Sequence, residues 1–238
     1  MRVILCLISL CLVSVGLNAQ VVKNPMVISG YVRDFDDHPL DSANVLLQDR
    51  TFNPVAQTVT DSTGHYVIRA EKRDYMALLA IRMSDYAKSR LEYWAWNIPP
   101  ADTLMINPRY HRLEVYGLNA FAVQGSGSRS VFIYFRPMSL TRQAKWLALH
   151  DTAGTQLSAV CSALAPKDIS VTIDGRVSKI LDLDEVKETT KTGFMRGYLI
   201  QCALPESRPT GGPSRIVLTV TDPENSDKGE GLLFWSGQ

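Results

Sequence analysis

The 238-residue chain has no excess of charge of either sign: 25 Lys and Arg stand against 24 Asp and Glu. It carries no basic stripe to follow a nucleic-acid backbone and no Lys/Arg run to hold an anionic membrane surface. Histidine is scarce, with His38, His65, His111 and His150 the full set. A Gly-x-Ser-x-Gly elbow and a phosphate-cradling loop are both missing, and Gly125-x-Gly127 lacks the third glycine of a dinucleotide turn. Nucleophilic esterase, nucleotide and dehydrogenase chemistry therefore have no support. After the N-terminus no apolar run is long enough to cross a bilayer.

The N-terminus does carry one apolar run, Val3 to Val15, behind Met1-Arg2 and ahead of Gly16-Leu17-Asn18-Ala19. That is the layout of a secretory signal with a cut after Ala19. Removing 19 residues leaves 219, with 24 basic and 24 acidic groups. The chain is thus expected to be exported: periplasmic, on the outer-membrane surface or secreted. Cys6 and Cys11 fall inside the signal. Each follows a leucine, so neither has the small residues that a lipoprotein cut needs. Cys161 and Cys202 remain. In an oxidising compartment they are a possible disulfide; the other reading is two buried thiols in facing strands.

What is present is a rhythm of two. Ile28-x-Gly30-x-Val32-x-Asp34 opens it, then Pro39-Leu40-x-x-Ala43-x-Val45-x-Leu47, then Thr60-Asp61-x-x-Gly64-x-Tyr66-x-Ile68. In extended chain, alternate residues share a face, so each block turns small or apolar groups to one core. Gly30 and Ala43 mark places where bulk would push a neighbour away. Gly64 suits a hairpin position with positive φ. Asp34 and Asp61 are placed to accept from the turn backbone that follows them. Asp34, Asp36 and Asp37 with Asp61 also form an acidic group of calcium-ligand type, but turn aspartates usually only cap, and no metal is assigned.

These blocks resemble the carboxypeptidase regulatory-like domain, a transthyretin-like sandwich of seven strands. The resemblance covers about 80 residues, roughly Val27 to Pro108. It implies a fold and leaves function open, because such domains accompany metallocarboxypeptidases, outer-membrane transporters and many secreted bacterial proteins. The second half resembles no named family. It reads as seven or eight short strands over about 110 residues, which suggests an immunoglobulin-like sandwich. Two segments there are ambiguous. Lys145 to His150 reads as a strand, with helix over Ser139 to Leu149 as the alternative. Leu181 to Thr189 reads as a helical turn or two. The expected organisation is all-β: signal 1–19, first β-sandwich 20–110, linker 111–128, second β-sandwich 129–238.

One zinc-like motif, His111-x-x-Glu114, is set aside. On an extended segment residues three apart face opposite sides, and the only later histidine is His150. The pair is expected at the surface. The most suggestive feature is aromatic: Trp94 and Trp96 share a strand face with Glu92. Open to solvent, the two indoles form a platform for a sugar or a partner's apolar anchor; covered, they pack against the second half or a loop. Trp146 and Trp235 are expected in the core. Together these features point to a non-enzymatic envelope or secreted accessory module that binds a protein partner. A glycan binder using Trp94 and Trp96 is the alternative. No catalytic residue and no cofactor is expected.

Overall fold

The computed structural model describes residues 24–123, 129–149, 160–190, 193–206 and 211–237. The expected signal, the glycine-serine stretch 125–128, the turn 151–154 and His150 lie outside them.

Alternation of buried and exposed residues makes β1 (Pro25–Tyr31), β2 (Asn44–Gln48), β3 (Pro54–Val59) and β4 (His65–Glu71). More continuously apolar stretches make β5 (Tyr75–Ile81) and β6 (Tyr93–Ile98), and β7 (Thr103–Met105) follows. Three of these form one layer in the order β4-β1-β7. The other four lie side by side in a second layer, β6-β5-β2-β3. Between the layers sits a core of Met26, Ile28, Val45, Leu47, Tyr66, Leu78 and their neighbours.

The turns follow their local chemistry. The Asp34 carboxylate accepts the backbone N–H groups of Asp36 and His38, both at 3.0 Å. Asp61 does the same for Thr63 and His65 at 2.8 and 3.0 Å. Gly64 has φ +78°. Gly30 is held by contact: a Cβ there would lie 1.8 Å from the carbonyl oxygen of Ile106. That oxygen is not free to yield, since the buried Tyr66 hydroxyl donates to it at 2.8 Å. Gly30→Ala is expected to cost about 3 kcal/mol in unfolding free energy, measured by urea titration; an unchanged midpoint would show that β1 shifts without strain.

The second half opens with β8 (Leu113–Phe121) and β9 (Ser130–Ser139), continues through α1 (Leu140–Leu149) and a 3-10 turn (Pro166–Asp168), and then runs as strands: β10 (Ile169–Ile173), β11 (Arg176–Val177), β12 (Ile180–Thr190), β13 (Gly193–Ala203), β14 (Ser214–Thr221) and β15 (Lys228–Trp235). One layer is β12-β13-β9-β8 and the other β11-β10-β14-β15. Their core includes Val131, Ile133, Phe135, Val171, Ile200, Ile216, Leu218 and Leu233. The molecule is therefore all-β, built from two sandwiches.

Three readings of single segments change. Residues 140–149 are helix, the second of the two readings, in place of a strand from Lys145. The Ser139 hydroxyl accepts the Arg142 N–H at 3.2 Å, as an N-cap does, and the run that follows is rich in helix formers. Residues 180–190 are an exposed edge strand rather than helical turns, because the chain pairs along β13 from Ile180 to Thr190. Its Asp182, Asp184, Glu185 and Glu188 put charge on an edge that would otherwise template further pairing. The segment 111–128, expected as a linker, contains β8, whose Leu113 and Val115 are buried core.

The two sandwiches also share more than a tether. β15, the last strand, lies parallel to β6, with Gly231 opposite Trp94 and Leu233 opposite Trp96. That pairing fuses one layer of each sandwich into one eight-stranded sheet, β11-β10-β14-β15-β6-β5-β2-β3. Alternation then divides β6 between two cores. Tyr93, Ala95 and Ile98 enter the first, while Trp94 and Trp96 enter the second.

Candidate functional site

The platform expected at Trp94 and Trp96 is closed. The two side chains are 8% and 4% exposed. The indoles stack on each other with centroids 5.1 Å apart and planes 15° from parallel. Tyr116 of β8 meets both edge-on at 5.5 Å. Phe52, from the β2–β3 turn, meets them edge-on at 6.4 and 6.2 Å. Phe52 sits at φ +62° in a turn pinned by Asp49, whose carboxylate accepts from the backbone of Thr51 and Asn53. The aromatic face therefore packs against the second sandwich and a loop. A sugar has no open indole face on which to stack, so the glycan reading loses its site.

Beside the indoles lies a feature the sequence did not announce. Glu114 is 4% exposed rather than on the surface, and its Oε1 accepts the Trp94 indole N–H at 2.8 Å. Glu92 approaches from the segment before β6. Its Oε1 accepts the Tyr86 hydroxyl at 3.5 Å, while its Oε2 is buried without a hydrogen-bond partner. Burial, and then the neighbouring Glu92, push Glu114 up to about 8. Burial raises Glu92 as well. His111 stands apart from this pair, half-buried, and burial lowers its pKa. The spacing His111-x-x-Glu114 therefore builds no metal site.

Asp34, Asp36 and His38 bring ligand-type atoms within 4.8 Å of one another. The Asp34 carboxylate is already engaged, with two backbone N–H groups on Oδ1 and with His38 Nδ1 at 3.3 Å and Arg90 at 3.5 Å on Oδ2. Asp61 caps a different turn. The acidic group of the first sandwich is turn chemistry.

Cys161 and Cys202 are not bonded to each other. Cys202 faces Val131 across β9, and Cys161 bridges to Met138. Seven residues of strand separate those partners, about 23 Å at roughly 3.3 Å per residue. A disulfide needs Cα atoms within about 7 Å. Both thiols are buried, and burial pushes Cys202 up to about 11 and raises Cys161 too. Neither is an activated nucleophile. Trp235 is 4% exposed, as expected for core; the Trp146 side chain lies outside the description.

A second polar cluster centres on Asp222, which is fully buried. Its carboxylate takes Arg142 from α1 through two nitrogens at 2.5 and 3.0 Å and the Ser162 hydroxyl at 2.6 Å. Ser139 donates to the neighbouring Asp227 at 2.8 Å. Serine, aspartate and arginine meet here, and each serine hydroxyl donates to a carboxylate. That network docks α1 on the β14–β15 loop.

No protein-family model matches the chain, and no curated protein does. Solved structures with a similar arrangement include the major pilin subunit BcpA of Bacillus cereus, at 10% identity, covering 88% of this chain and 67% of that one, with a TM-score of 0.28. The major pilin SpaD of Corynebacterium diphtheriae matches at 9% identity over 87% of this chain and 63% of that one, with a TM-score of 0.24. At such scores the likeness carries no functional argument.

Proposed function

We propose that the protein is an exported, non-enzymatic module of the bacterial cell envelope or its surroundings, a pair of fused β-sandwiches that serves a protein partner as an accessory or binding unit. The observation that carries this reading is the use to which the polar groups are put. Among the described residues, Asp34 and Asp61 hold turns, Asp222 docks a helix, and the thiols are buried with raised pKa values. A cleft of about 350 Å³ does open where the sandwiches join, between Tyr75, Pro99, Pro213 and Phe234. Arg50 and Asp74 flank it, but no histidine, cysteine or carboxylate cluster lines it. No helix among the described residues is long and apolar enough to cross a membrane. The N-terminal pattern supports export, and the regulatory-like blocks fit an accessory role.

Expression of the full chain in a bacterial host, followed by fractionation and intact-mass measurement, tests the proposal. Product in the envelope or medium, 19 residues shorter than the full chain, is expected, with no turnover of peptide, ester or glycoside substrates by the pure protein. Full-length product retained in the cytoplasm, or reproducible turnover, defeats it.

A further inference from the structure

We propose that Glu92 and Glu114 share one proton and act as a latch on the junction of the two sandwiches, closed while the proton is held and loosened in mild alkali. Glu92 belongs to the segment leading into β6, Glu114 to β8, and Trp94 stands at their meeting point with its N–H on Glu114 Oε1 at 2.8 Å. The same indole eases charge on Glu92. No cation among the described residues is bonded to either carboxylate, and Glu92 Oε2 is orphaned. Two buried anions gathered at one indole repel, so one proton for the pair is the stable state.

The charged and titratable groups around the pair do not offset a second negative charge. Tyr86, from the β5–β6 loop, and Tyr110, ahead of β8, are neutral, since burial first and Glu92 among the charges raise both. Arg136 of β9 is close enough to ease Glu114, but its Nε is bonded to Glu188 of β12 at 2.8 Å and its guanidinium lies over Tyr116. On β15, Gly229 and Gly231 lie against Leu113 and Val115 of β8. Glu230 between them points to the other side, where Thr219 donates to it at 3.4 Å and Arg109 attracts it. Asp227, before β15, is held by Ser139 and Arg112.

The sign follows from linkage. An unfolded glutamate releases its proton near its ordinary 4.5, whereas Glu114 keeps it to about 8. The contribution of this proton to stability is therefore full below about pH 4.5 and is lost as pH rises through 8. The carboxylate then formed repels Glu92, and parting β8 from the β6 entry relieves it and exposes the indoles.

The test is acrylamide quenching of tryptophan emission, with thermal unfolding, across pH 5 to 9.5. The native chain is expected to show quenching that rises with a midpoint near 8 and a Tm that falls by about 5 °C or more. Glu114→Gln keeps an acceptor for the indole and should abolish the quenching transition. Glu92→Gln should move it to lower pH, because the repelling charge is gone. Glu230→Gln, which titrates on the other core with a pKa near 7, should leave it in place. A transition that persists in Glu114→Gln, or one that does not move in Glu92→Gln, overturns the latch. So does a native chain without a transition. Should Glu114→Gln fail to fold, the Glu92→Gln shift decides alone.

Discussion

Replacing Asp222 with alanine is expected to lower the unfolding free energy by about 3–5 kcal/mol and Tm by roughly 10 °C or more. The carboxylate is fully buried and accepts from four sources: Arg142 through two nitrogens, the Ser162 hydroxyl, the Glu224 N–H at 2.9 Å and the Asn225 amide at 3.4 Å. Its loss strands a guanidinium whose side chain is only 13% exposed, and a serine hydroxyl that is fully buried. Glu224 still reaches Arg142 at 3.0 Å but from the solvent side, so it screens the charge without filling the hole. Partner removal, not the net value of the pair, sets the size of the effect. Arg142→Met combined with Asp222→Ala should therefore recover much of the loss, because no orphaned charge remains. Chemical denaturation of the two single variants and the double gives the coupling. A double variant no more stable than Asp222→Ala would mean that α1 docks by its apolar contacts instead. Acid should mimic the substitution. The bonds from Arg142 and Ser162 overcome burial and hold the Asp222 pKa below its usual 3.8. Its contribution is thus present above pH 3.8 and disappears as pH falls through the folded value.

How much of this was legible depends on how local the cause is. Asp34, Asp61 and Gly64 act within four residues of themselves, and their roles follow from spacing alone. Gly30 was legible as a tight spot, though not what it is tight against, because Ile106 arrives 76 residues later. Ser139 followed by Leu140-Thr141-Arg142-Gln143 carried a cap and helix formers, yet the apolar spacing of Lys145 to His150 fits a strand equally well at that length. β12 shows a weak strand signal because no residue of this edge strand is fully buried, which blurs the apolar alternation that betrays a strand. β8 reads as a connector because nothing within it reveals the two glycines of β15 that allow its close approach, Gly229 and Gly231. The disulfide is the same kind of case. Two cysteines in facing strands satisfy the sequence, but their distance along β9 is fixed by register, and register is set by partners the spacing does not name.

Trp94→Ala together with Trp96→Ala is expected to abolish cooperative folding, not to leave a folded protein without a ligand. Two opposite expectations rest on one period-2 pattern, since an apolar face looks identical in sequence whether it meets solvent or a second sheet. Buried tryptophans contribute about 3–5 kcal/mol each, and a domain's whole stability is about 5–15 kcal/mol. The indoles here close the second core from the β6 side, with Tyr116 edge-on against both. Removing them also strips Glu114 of its indole donor and leaves its Oε1 buried without it. The losses do not add as independent sites, because the rings touch. Trp96→Phe alone should be tolerated far better, retaining an aromatic surface for Tyr116. Near-ultraviolet circular dichroism of the native chain should carry the signature of coupled indoles, and each single alanine variant should lose it before unfolding. A double-alanine variant with a native melting curve would mean that the two sandwiches are held by the β6–β15 backbone ladder alone, and that the aromatic face is, after all, a surface kept for something else.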